Sequence, residues 1–178
     1  ISFLSIDIDE IPSKYEDYLE SYFTTFQINK NNFFTDISNY LAYEMGQPTH
    51  CYNINKLNGN IEFISNDFNE NFETVLDKKI TLSGTNCVFK SNNEVINLAG
   101  VMGGKSTACT RSTKQVLIEC AYFNPESIIG KALKYNLHSD ASYKFERGVD
   151  PSYQEQTLRR FIKIVSDHTN IKSIKYFR

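Results

Sequence analysis

The chain has 178 residues, a formal net charge of −2, 40% hydrophobic and 13% aromatic residues, and no tryptophan. This composition excludes a disordered protein and predicts one module, or two intertwined lobes, with a sizeable core. No apolar run is long enough to cross a membrane, and residues 1–10 lack the features of a signal peptide, so a cytoplasmic location is expected. Because the sequence starts at Ile1 rather than methionine, we expect a segment of a longer protein.

Charge is unevenly distributed along the chain. Residues 100–178 contain 13 Lys and Arg against 7 Asp and Glu, which leaves 6 against 14 in the first 99 residues. A basic C-terminal part can favour a polyanion such as RNA, although solvated helix faces produce the same count. The four cysteines lack the paired spacing of zinc or redox motifs, so we expect free thiols and no metal site.

Hydrophobic periodicity predicts an α+β fold, with a mixed, mostly antiparallel sheet and about four helices packed around it. Proline and potential capping residues define the predicted helix starts, and glycine and asparagine define the turns. His50 is expected in a loop, as is the segment 137–142. In chain order the predicted elements are a strand at 1–8, helices at 12–26 and 36–45, strands at 61–65, 73–76, 79–82 and 87–90, two strands flanking Gly103 and Gly104, a helix at 125–135, a strand at 143–146, a helix at 151–168 and a strand at 171–176.

The segment 94–123 contains a double glycine between two apolar runs, and the second run carries a single acid, Glu119. In an alternating strand Leu117, Glu119 and Ala121 share one face, so the carboxylate lies among apolar neighbours. Burial of a carboxylate is costly unless donors satisfy it. Two interpretations stay open. Glu119 is either a structural acid bonded by backbone amides, or a specificity acid in a pocket walled by Gly103 and Gly104, whose amides would be exposed as donors.

The same segment approximates a nucleotide-binding motif. Residues 99–106 match the phosphate-loop pattern except that alanine replaces its first glycine. A phosphate loop opens a helix that crosses back to a parallel strand, which takes about a dozen residues or more. Only residues 106–114 separate the two apolar runs, and their threonines are poor helix formers. Two strands joined by a loop are therefore expected, which argues against a nucleotide hydrolase.

Four longer motifs point to a known family. They are Asp-Ile-Ser-Asn-Tyr-Leu with Gly-Gln-Pro-Thr-His in 36–50, Ala-Gly-Val-Met-Gly-Gly at 99–104, Leu-Ile-Glu-Cys-Ala-Tyr-Phe at 117–123, and Leu-His-Ser-Asp-Ala-Ser-Tyr-Lys-Phe-Glu-Arg-Gly-Val-Asp-Pro at 137–151. In order and spacing these resemble the central editing module of the bacterial phenylalanyl-tRNA synthetase β subunit. The resemblance covers nearly the whole chain and is loose only in residues 1–32.

The resemblance implies hydrolysis of tRNA(Phe) that has been wrongly charged with tyrosine. In the matching positions Glu119 would accept the tyrosine hydroxyl, with Gly103 and Gly104 shaping that end of the pocket. An unpaired buried acceptor penalises phenylalanine by about 1–3 kcal/mol or more. His50 and Asn39 would lie near the ester and position the attacking water. An aminoacyl ester is already activated, so no nucleophile or metal is required.

Further residues and partners follow from the same resemblance. Ser139 and Ala141 would line the pocket, and Asn29 would lie near the tRNA 3′ end. The family commonly has arginine at the position of Asn29 and threonine at that of Ser139, so weakened editing is an open alternative. The implied partners are the tRNA(Phe) 3′ end carrying tyrosine, the remaining β-subunit domains and the α subunit. No cofactor is expected in this segment, because ATP and magnesium belong to a ligase site elsewhere.

A non-catalytic module that only binds tRNA or orients neighbouring domains is the alternative function. It predicts that His50→Ala has no measurable effect. It also predicts that charge reversal at Arg159, Arg160 or Lys163 weakens tRNA binding and its salt dependence.

Overall fold

The structure is a computed structural model that describes all residues from Ile1 to Arg178. The strands are β1 (Ser2–Ile8), β2 (Thr49–Asn53), β3 (Ile61–Glu73), β4 (Lys79–Ser91), β5 (Glu94–Leu98), β6 (Met102–Gly103), β7 (Gln115–Cys120) and β8 (Ile171–Phe177). The helices are α1 (Asp17–Phe26), α2 (Phe33–Glu44), α3 (Pro125–Ile128), α4 (Lys131–Tyr135), α5 (Asp140–Arg147) and α6 (Gln154–His168). No helix is both long and apolar enough to cross a membrane.

Two four-stranded sheets replace the single mixed sheet that was predicted, and every strand pair in them is antiparallel. Their strand orders are β2-β7-β1-β8 and β3-β4-β5-β6. The α+β class and the antiparallel pairing are therefore confirmed. The two apolar runs around the double glycine are strands as expected, but β5 and β7 belong to different sheets, so they do not pair with each other.

The chain divides into two compact units, and unit 1 comprises residues 1–55, 109–121 and 150–178. It contains the sheet β2-β7-β1-β8 together with α1, α2 and α6. Alternate residues of β1 and β7 face these helices, so every second side chain of each strand lies in the core. The buried core they form includes Leu4, Ile6, Ile8, Leu19, Phe34, Ile37, Leu41, Val116, Ile118, Cys120, Leu158, Phe161 and Val165.

Unit 2 comprises residues 56–108 and 122–149, with the sheet β3-β4-β5-β6 and the helices α3, α4 and α5. Its strands β3 and β4 pair without interruption from Ile61 opposite Ser91 to Glu73 opposite Lys79. The prediction of separate short strands at 61–65, 73–76, 79–82 and 87–90 is therefore wrong, because residues 66–71 and 83–86 between them belong to the same ladder. Those residues are polar because much of this two-stranded ribbon is exposed, while its backbone ladder continues.

Other boundaries differ from prediction for local reasons. The predicted strand at 143–146 is part of α5, because Ser139 caps a helix that buries Phe145 and ends at Gly148. The predicted helix at 125–135 is interrupted at Gly130, whose φ of +77° lies in the left-handed region. Helices α1 and α6 begin a few residues later than their prolines suggested.

Candidate active site

Glu119 lies on β7 between two neighbouring strands. Its cross-strand partners are His50 on β2 and Phe3 on β1, so the predicted loop position of His50 is wrong. The adjacent residues Ile118 and Cys120 belong to the helical core of unit 1. Because side chains alternate along a strand, Glu119 and His50 lie together on the opposite face of the sheet.

The carboxylate of Glu119 is buried, with 4% of the residue exposed. Its Oε2 accepts a hydrogen bond from the hydroxyl of Tyr52 at 2.5 Å, and Tyr52 is itself fully buried. A phenol is therefore one of the donors that satisfy this buried acid. Tyr52 was missed in the sequence because β2 was not recognised. The only indication in the sequence was the spacing of the two ring side chains, since His50 and Tyr52 are two residues apart and would share one face of a strand.

His50 completes this cluster. Its ring packs edge-on against Tyr52, with ring centroids 4.5 Å apart. Burial lowers the pKa of His50 to about 4, so the imidazole is neutral at physiological pH. Its Nε2 atom is buried and has no hydrogen-bond partner in the protein. A polar atom in that situation is suited to hold a water or a substrate atom.

Asn39 and Asn29, the other two predicted residues of unit 1, are both exposed. A hydrogen bond connects helix α2 to strand β2, because the hydroxyl of Ser38 donates to the carbonyl of Thr49 at 2.6 Å. Asn39 follows Ser38 and His50 follows Thr49, so both predicted positioning residues adjoin this connection. No hydrogen bond joins their side chains. Asn29 lies between α1 and α2.

Gly103 and Gly104 are both buried in unit 2. The carbonyl of Gly103 accepts from the amide of Val75 at 3.0 Å, and the amide of Gly104 donates to the carbonyl of Ile96 at 2.8 Å. The expectation that both amides are exposed donors is therefore wrong for Gly104. A Cβ at Gly104 would lie 2.6 Å from the Ile96 carbonyl oxygen, which explains the glycine through backbone packing.

The phosphate-loop interpretation also fails on the structure. No helix follows the double glycine before β7 begins at Gln115. The lysine of the motif, Lys105, pairs with Glu73 at 3.1 Å and with Asp77 at 2.5 Å. A lysine that is held by two carboxylates at the end of a strand does not form a phosphate cradle.

Ser139 and Ala141 lie at the start of α5 in unit 2. The hydroxyl of Ser139 accepts from the amide of Ser142 at 3.0 Å and donates to the carbonyl of Val101 at 2.8 Å. This capping box fixes the helix start, so the hydroxyl has a structural use. Ala141 is half-buried in the first turn.

The basic residues on α6 that were considered for RNA binding are paired within the chain. Arg159 pairs with Glu155 at 2.7 Å, Arg160 pairs with Glu44 at 2.8 Å, and Lys163 pairs with Asp167. Their charges are therefore largely compensated locally.

A cleft of about 870 Å³ between residues 9–14 and 166–170 contains none of the predicted site residues. His168 lies there as a structural residue, because its Nε2 accepts from the amide of Glu16 at 2.9 Å.

The fold and the cluster together define an α+β domain of two antiparallel sheets, with a buried carboxyl group and a neutral imidazole on neighbouring strands of one sheet. The chain belongs to the B3/4 domain family, whose model matches residues 12–170. The resemblance drawn from the four motifs, to this module of the phenylalanyl-tRNA synthetase β subunit, is confirmed.

Similar proteins include the phenylalanine–tRNA ligase β subunit of Dickeya dadantii (strain 3937), which is 38% identical over 132 residues. That match covers 74% of this chain and 17% of the relative. The β subunit of Francisella tularensis (strain SCHU S4 / Schu 4) is 36% identical over 140 residues, covering 79% of this chain and 18% of the relative. The chain thus corresponds to less than a fifth of these proteins.

A solved structure shares the fold. It is an N-terminal fragment of the phenylalanyl-tRNA synthetase β subunit from Pyrococcus horikoshii, with a TM-score of 0.56 and 10% sequence identity. The similarity covers 99% of this chain and 46% of that fragment.

Proposed function

We propose that this chain is an editing module that hydrolyses the ester of Tyr-tRNA(Phe) and recognises the tyrosine hydroxyl through Glu119. The observation that supports this most is the buried Glu119 carboxylate, which binds a phenol hydroxyl at 2.5 Å beside the neutral imidazole of His50. A carboxylate has lone pairs for about four hydrogen bonds. A substrate phenol can therefore share this acceptor with Tyr52.

The proposed reaction is hydrolysis of an aminoacyl ester. A water oxygen attacks the ester carbonyl carbon, and the bond between that carbon and the ribose oxygen breaks. One proton of the water passes to the leaving ribose oxygen, and the water's O–H remains on the carbonyl carbon in the carboxyl group of the free amino acid. An efficient general base has a pKa near the working pH, whereas the pKa of His50 is lowered to about 4. His50 therefore orients the water through Nε2 instead of removing its proton. Asn39 would act as a second positioning residue.

Selectivity in this proposal comes from the substrate hydroxyl. Phenylalanine would bring an apolar ring edge to Glu119 and supply no donor, at a cost of about 1–3 kcal/mol, or roughly 5- to 150-fold. The roles of Gly103, Gly104, Ser139 and Ala141 remain predictions from the resemblance.

We further propose that the chain acts within a larger synthetase β subunit, because it corresponds to 17–18% of the β-subunit relatives. Its partners would be the 3′ end of tRNA(Phe) carrying tyrosine, the other β-subunit domains and the α subunit. Asn29 would contact the tRNA end. The hydrolysis itself needs no cofactor, and ATP and magnesium would serve the ligase site elsewhere.

A non-catalytic tRNA-binding or scaffolding module is the second candidate. The bond from Tyr52 to Glu119 is equally compatible with this candidate, because a buried acid that is bonded by a neighbouring side chain is also what a structural role requires. The ion pairs on α6 count against a strong polyanion surface there.

Deacylation assays with Tyr-tRNA(Phe) and Phe-tRNA(Phe) separate the two candidates. The chain should hydrolyse the tyrosyl ester and spare the phenylalanyl ester, and His50→Ala should lower kcat/KM by at least about tenfold. His138→Ala, which removes an exposed imidazole, is the matched control and should behave as the unchanged chain. Equal rates for the chain and His50→Ala would favour the scaffolding module.

A further inference from the structure

We infer that Tyr52 is a specificity-determining residue, an internal phenol that bonds the Glu119 carboxylate and reduces discrimination between tyrosyl and phenylalanyl esters. The inference rests on the proposed function, because it concerns the same acceptor. The family resemblance implies no role for Tyr52.

The sheet register places the two groups together. On β2 Tyr52 pairs with Leu117, which makes it the diagonal neighbour of Glu119 on the same face. Diagonal neighbours lie within reach of an aromatic side chain. The distance of 2.5 Å from Tyr52 Oη to Glu119 Oε2 is at the short end of the range for hydrogen bonds between two oxygen atoms. Full burial and the edge contact with His50 hold the phenol in this position.

This bond changes the cost of binding the wrong substrate. A site that binds a hydroxyl rejects the analogue that lacks it, because the acceptor of the site then loses a donor. Tyr52 donates to Glu119 whichever ester is bound, so the carboxylate retains that bond when phenylalanine occupies the site. Removing the Tyr52 hydroxyl should raise the cost for phenylalanine more than for tyrosine, since only the tyrosyl ester supplies a replacement donor.

The test is the ratio of kcat/KM for Tyr-tRNA(Phe) over Phe-tRNA(Phe). Tyr52→Phe should raise this ratio about tenfold, which corresponds to about 1.4 kcal/mol. A purely structural role would change both rates equally and leave the ratio unchanged. A residue that orients Glu119 for the substrate would lower the ratio when replaced. Either of those two results overturns the inference.

Tyr15→Phe is the matched control. Tyr15 donates to the buried carboxylate of Asp36 at 2.8 Å in the same unit, so the variant removes a similar bond elsewhere and should leave the ratio unchanged. Tyr52→Met, which keeps an apolar side chain without a hydroxyl, replaces Tyr52→Phe if that variant does not fold.

An unchanged chain that hydrolyses neither ester would refute the proposed function, and this inference with it. An active, selective chain whose ratio is unaffected by Tyr52→Phe refutes this inference alone.

Discussion

Replacing His50 by glutamine should change how stability depends on pH. Burial lowers the pKa of His50 to about 4 in the folded chain, whereas an unfolded histidine titrates near 6.5. Between these values the unfolded state binds a proton that the folded state does not. The contribution of the neutral imidazole to the free energy of unfolding is therefore fully present above pH 6.5, and it is lost as the pH falls toward 4. The difference between the two pKa values corresponds to about 3 kcal/mol.

Urea unfolding between pH 7 and pH 4 measures this effect. The unchanged chain should lose about 3 kcal/mol more of its free energy of unfolding over this range than His50→Gln does. The other titrating groups are common to both proteins, so the comparison isolates His50. The control His138→Gln removes an exposed imidazole and should follow the unchanged chain. Parallel pH profiles for the chain and His50→Gln would refute the reasoning, because the buried imidazole would then not be held neutral.

Two further predictions concern unit 2. Gly104→Ala should lower the free energy of unfolding by about 1–3 kcal/mol in urea titrations, because its Cβ would lie 2.6 Å from the Ile96 carbonyl oxygen. A neutral result would show that the glycine is not required for packing. Ser139→Ala should cost about 1 kcal/mol by removing the cap of α5, whereas Ser139→Thr should preserve stability, as thermal unfolding can check. Equal losses in both variants would exclude capping as the cause.

The strongly patterned elements could be predicted from sequence. Burial alternates strictly along β1 because one of its faces packs on helices, β7 is a short apolar run of strand length, and the apolar stripe of α6 repeats at helical spacing. The class of fold follows from these elements. The long ribbon of β3 and β4 could not be predicted, because its exposed polar residues resemble a loop, and only pairing along the full backbone shows that it is a strand pair.

The candidate site could be predicted only in part. Glu119 was identifiable as a lone acid in an apolar strand, and His50 entered through the family resemblance. Their adjacency depends on β2, which follows Pro48 and contains polar residues that do not suggest a strand. The strand exists because it pairs with β7, which is a tertiary effect. The bond from Tyr52 to Glu119 depends on that register and so was not predictable.

The most direct test of the central proposal is the preference of the chain for Tyr-tRNA(Phe) over Phe-tRNA(Phe), compared with that of Glu119→Ala. If the buried carboxylate recognises the substrate hydroxyl, the unchanged chain should prefer the tyrosyl ester by at least about fivefold in kcat/KM, and the variant should lose that preference. A folded Glu119→Ala variant that retains the full preference would contradict the proposal.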